Sequence, residues 1–70
     1  MSREEVLKVI QEELGNDSIE ENSPTYAMSI DSLDYISLLQ VLKSKFGKID
    51  TRAAVNANLI SELISAVIDA

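Results

Sequence analysis

Three apolar stripes with the helical repeat, cut apart by two glycines and one proline, leave this chain of 70 residues few ways to fold. Val6, Leu7, Ile10 and Leu14 recur three and four residues apart, and Val9 widens their stripe. Leu38, Leu42 and Phe46 recur every four residues, broadened by Leu39 and Val41. Leu59, Ile60, Leu63, Ile64, Val67 and Ile68 make a third and wider stripe. Such spacing gathers side chains on one face of a helix, and no segment alternates with the two-residue period of a strand. The expectation is an all-α fold. It is a small four-helix bundle of three main helices and one short one, forming a single domain over residues 1–70.

The ends of these helices are written in the sequence too. Ser2 and Glu5 have the spacing of a capping box, in which each side chain takes up the other's backbone N–H. The first helix then runs to Leu14, and Gly15 supplies the left-handed residue that ends it. Asn16 to Ile30 is a long connection holding Pro24, which stops a helix. Ile19, Tyr26, Ala27, Met28 and Ile30 are expected to pin it to the core. Connections longer than about 12–15 residues are uncommon in compact domains and are often functional. Asp31 is a good N-cap for a second helix reaching Phe46. Asp34 then stands at its third position and Lys43 and Lys45 in its last turns, each suited to the dipole. Gly47 closes that helix. Beyond it, Ile49 is expected to pack inward, Thr51 to cap a short helix through Asn56, and Asn58 to cap a last helix from Leu59 to Ile68.

Composition removes whole classes of function. With no cysteine, the chain has neither disulfides nor thiolate metal sites. Without histidine it lacks the commonest general base and metal ligand, so no Ser-His-Asp or Cys-His engine can form. No metal site and no catalytic residue is expected, and a chain this small has little room for a substrate cleft. The net charge of -6 argues against nucleic acid and against an anionic membrane surface. Residues 1–34 hold nine acids and two bases, and residues 35–70 three acids and four bases. An acidic first half attracts basic partners or simply keeps a small protein in solution. No apolar run has the length of a membrane span, so no stable membrane insertion is expected and the chain reads as a cytoplasmic monomer.

Ser32 stands apart. It sits in the first turn of the second helix, directly after a long connection, with no base that could activate it. Unpaired backbone N–H groups and the helix dipole favour an anion there, so a phosphodiester on Ser32 would be well placed. A capping or surface role explains such a serine equally well from the residues alone.

Asp31-Ser32-Leu33 opens an apolar helix, DSLDYISLLQVLKSKFG, in a small acidic chain whose first helix ends in Leu14-Gly15 and whose last is amphipathic. In this order and spacing the chain resembles the acyl carrier protein family over nearly its whole length. The resemblance implies that Ser32 carries 4′-phosphopantetheine, donated by coenzyme A and attached by a phosphopantetheinyl transferase. The arm's thiol would hold acyl groups as thioesters. The chain would then be no enzyme, and its partners would be acyl-transferring or synthase enzymes in fatty-acid, lipid, polyketide or amino-acyl metabolism. Asp31, Leu33, Asp34 and Ile36 would dock those partners. Leu42, Phe46, Leu59, Leu63 and Ile64 would shelter an acyl chain, or serve as core alone.

The chain also departs from the family pattern. Ser29 stands where glycine is usual, and Ser37, Lys43 and Lys45 stand where acids are common. The two lysines would oppose a basic partner, which points to a specialised carrier with few partners. The reading from a different class is an unmodified helical interaction module, indifferent to Ser32.

Overall fold

A computed structural model describes residues 1–70 and shows four α-helices: α1 (Arg3–Leu14), α2 (Ser32–Phe46), α3 (Thr51–Val55) and α4 (Ile60–Ile68). The all-α expectation holds. α4 is the spine of the bundle, packed against each of the other three, and α1 also packs on α2. Its Ile60, Leu63, Ile64, Ala66 and Val67 are buried. They meet Val6 and Ile10 of α1, Leu38, Leu39 and Leu42 of α2 and Ala54 of α3 in one continuous cluster. Phe46 and Ile49 pack against that cluster half-buried. No buried side-chain polar atom lacks a partner, so the thin core is free of that penalty.

The capping box at α1 is present as read. Ser2 Oγ accepts from Glu5 N at 3.2 Å, and Glu5 Oε1 accepts from Ser2 N at 3.0 Å. Gly15 and Gly47 close α1 and α2 with φ of 61° and 88°.

Two other caps differ from expectation. Asp50, not Thr51, caps α3, its carboxylate accepting from Ala53 N at 3.1 Å. Carboxylate and hydroxyl are both competent caps, and the helix begins at Thr51, one residue earlier than Thr51 as cap would require. Asn58 does not cap the last helix, which starts at Ile60. Instead Glu62 folds back, and its Oε1 accepts from both Asn58 N and Leu59 N at 2.9 Å.

The long connection explains that second change. It runs alongside the start of α4 and offers its carbonyls to the N–H groups a helix start leaves unpaired. Ile60 N donates to Ser23 O and Ser61 N to Glu21 O, both at 2.8 Å, and Thr25 N donates to Asn58 O at 2.9 Å. Pro24 and Leu59 face each other there as an isolated antiparallel bridge. Arg3 adds a second tie. Its guanidinium meets Glu21 at 2.8 Å and donates to Ser65 Oγ and to Ser61 O. Ile19 and Met28 anchor the connection in the core as expected, and Ile30 is half-buried. Tyr26 and Ala27 do not. They lie in a 3-10 turn, Thr25–Met28, whose three-residue repeat points Met28 inward and leaves both of them exposed. The connection is therefore a fastened strap, and it delivers the chain to Asp31 at a fixed place.

Candidate functional site

The strap ends at Ser29, the one non-glycine residue with positive φ, at 55°. This left-handed residue turns the chain out of the 3-10 turn and into Asp31. Asp31 is extended, and its carboxylate accepts from Asp34 N at 2.9 Å while its carbonyl accepts from Tyr35 N at 2.9 Å. The cap expected of Asp31 is therefore present. The N–H groups of Ser32 and Leu33 have no partner within the protein. Ser32 itself is exposed, as are Leu33 at 75% and Ile36 at 49%.

Asp31, Ser32, Leu33, Asp34 and Ile36 thus come together as one exposed helix end. The residues expected to shelter an acyl chain do not join them. Leu42, Leu63 and Ile64 are fully buried, Phe46 is half-buried, and Leu59 is 40% exposed. None of these five lines the cleft that opens beside Ser32. That cleft, of about 370 Å³, runs between Thr25, Tyr26 and Ile30 of the strap, Ser32, Tyr35 and Ile36 of α2, and Val55 and Ala57 around α3.

Tyr35, which no motif in the sequence singles out, organises this region. Its hydroxyl donates to the Ala54 carbonyl at 2.6 Å and so ties α2 to α3. Burial pushes its ionisation above the ordinary tyrosine value, which keeps the donor proton in place. Thr25 closes the opposite rim, its Oγ1 donating to Ala57 O at 3.2 Å. The sequence held a signal for Tyr35 only in its place three residues beyond Ser32, one helical turn away on the same side.

The residues present fit a phosphopantetheine group. An exposed hydroxyl stands beside two unpaired N–H groups suited to a phosphate. Next to it lies a cleft whose walls mix apolar side chains with hydroxyls, as an arm containing both amides and methyl groups requires. No helix of the protein is long and apolar enough to cross a membrane.

Comparison with curated proteins and with solved structures finds no match. The family model described as the phosphopantetheine attachment site matches residues 4–67, a span that takes in all four helices but for Arg3 and Ile68. This chain belongs to the phosphopantetheine-attachment family, that of the acyl carrier proteins, whose members bear a 4′-phosphopantetheine group and catalyse no reaction themselves.

Proposed function

We propose that Ser32 is the residue that bears the 4′-phosphopantetheine arm. The observation that carries this reading is the placement of Ser32: an exposed hydroxyl in the first turn of α2, held there by a strap tied to α4, with the Ser32 and Leu33 N–H groups unpaired beside it. When bound, the arm supplies a terminal thiol that holds an acyl group as a thioester. The protein's own part is to present the arm. Asp31 fixes the helix start and Asp34 sits in its first turn. Leu33 and Ile36 give partner enzymes an apolar contact beside the attachment point. A phosphopantetheinyl transferase and the enzymes that load and unload the thiol are its partners, and it serves them as a cytoplasmic monomer, a single carrier domain over residues 1–70. Lys43 and Lys45 favour a specialised lipid, polyketide or amino-acyl route, because they would repel the basic patches that carriers with acidic second helices meet.

The test is intact mass after incubation with coenzyme A and a broad-specificity phosphopantetheinyl transferase. The wild-type chain is expected to gain one phosphopantetheine unit and Ser32→Ala none. A folded, unmodified chain that gains nothing from several transferases would point instead to an interaction module. A gain retained by Ser32→Ala would move the attachment to another residue.

A further inference from the structure

The cleft beside Ser32 ends on a closed floor. Ile30, Tyr35 and Ala57 line it and also pack against the core. No residue lining it is fully buried, and the completely buried Leu42, Leu63 and Ile64 are not among them. The seam between α2 and α3 is shut by Tyr35, whose ring packs against the core while its hydroxyl holds the carbonyl of the buried Ala54 at 2.6 Å. Thr25 fastens the other side of the cleft to Ala57.

We infer that Tyr35 bars the interior of the bundle to whatever hangs from Ser32, so that the cargo is a short or polar acyl group kept at the surface. The inference rests on Ser32 as the attachment residue. A long apolar chain gains from leaving water only if it enters a dry interior. Here entry between α2 and α3 would pull the Tyr35 hydroxyl off Ala54, which strands a half-buried phenol and leaves the carbonyl only its longer bond from Ala57 N at 3.3 Å. It would also have to force apart a core already filled by side chains. A short acyl or an amino-acyl group meets neither obstacle, because its polar atoms stay hydrated. Tyr35 is thus a specificity-determining residue that acts by exclusion.

The chain has no cysteine, so Ser32→Cys provides a single thiol for attaching a chain without any transferase. The experiment compares an octyl-bearing with a methyl-bearing maleimide on that thiol, and an octanoyl with an acetyl group on the enzymatically installed arm of the wild type. The readout is the methyl resonances of Leu42, Leu63 and Ile64. With Tyr35 present, the long and short chains are expected to give the same core resonances. With Tyr35→Ala, the long chain alone is expected to shift them. Tyr35→Phe keeps the ring and removes the tether. It is expected to give a smaller shift of the same kind, and it serves as the test if the alanine variant does not fold. A shift caused by the long chain while Tyr35 is present overturns the inference. So does the absence of any shift in the variants. A transferase that fails to load Ser32 sinks the attachment reading alone, since the alkylated thiol still reports on the bar.

Discussion

α2 and α4 are both apolar helices, and they put that apolarity to different use. α4 buries five of its nine residues and α2 three of its fifteen. All three of those in α2 lie past its first five residues, at Leu38, Leu39 and Leu42. Those first five residues hold Leu33 and Ile36 out in solvent. α4 touches every other helix, whereas the start of α2 is exposed from Ser32 to Asp34 at the end of the strap. An apolar residue in α4 is therefore a statement about folding. In α2 the same residue type means folding at one end and contact with partners at the other.

The comparison breaks most sharply on two leucines of α2. Leu42→Ala is expected to cost about 2–5 kcal/mol, because the site is fully closed and leaves a cavity. That is a large share of the roughly 5–15 kcal/mol a domain has, and chemical denaturation should show a much lower midpoint or no folded baseline. Leu33→Ala is expected to change stability by no more than about 0.5 kcal/mol. Its effect should fall on the transferase. Losing one apolar contact worth about 1.5–3 kcal/mol when fully buried would lower kcat/KM for arm addition about tenfold or more. If Leu33→Ala weakens the fold as Leu42→Ala does, α2 has no presenting end. If it leaves arm addition untouched, partners dock elsewhere.

Most of this division was legible in the sequence. The stripes of α1 and α4 and the capping box at Ser2 rest on local spacing, and local spacing is what a sequence displays. The first turn of α2 was equally plain, since Asp31 and Asp34 take their places from the helix itself. What spacing could not show were contacts between distant segments. The Ser23 and Glu21 carbonyls take over the start of α4, so Asn58 had nothing left to cap. Arg3 reaches Glu21, Ser61 and Ser65 through the fold and not along the chain. No motif in the sequence marks Tyr35, because its partner is a backbone carbonyl, and no residue type at position 54 announces one. The cleft was invisible for the same reason. Its walls come from three segments that only the fold brings together.

Tyr35 sits on the border between the two ends of α2 and sharpens the contrast. Tyr35→Phe removes one hydrogen bond and is expected to cost about 0.5–1.5 kcal/mol. On a domain of this size, about 1 kcal/mol corresponds to roughly 4–8 °C in Tm. The loss should depend on pH. The hydroxyl ionises at higher pH in the folded state than in the unfolded chain. The unfolded state therefore loses its proton first as pH rises, and stability drains away from about pH 10 upward. Below that range the Tyr35 contribution is fully present. The difference between wild type and Tyr35→Phe, measured by denaturation, cancels the other titrating groups. It should be constant through neutral pH and shrink above pH 10. A difference that stays constant there would mean that the phenol is not held as the structure has it.

The smallest expected effect concerns the residue that aims the presenting end. Ser29 holds φ at 55°, a conformation that costs an ordinary residue about 1–2 kcal/mol because Cβ crowds the following carbonyl. Glycine relieves that crowding and loses about 0.5–1 kcal/mol of it back through the greater freedom of the unfolded chain. Ser29→Gly should therefore stabilise the domain by a net amount between nothing and about 1.5 kcal/mol, a rise in Tm of no more than about 10 °C. Ser29 sits at the hinge between strap and α2, so its strain, if it matters for presentation, should show in arm addition as well. A stabilised Ser29→Gly with unchanged kcat/KM would make the strain a tolerated cost of the turn. A stabilised variant modified more slowly would mean that the stiff serine helps to aim Ser32, and that glycine trades this aim for ease of folding. A destabilised variant would contradict the left-handed turn, and with it the account of how the strap delivers α2.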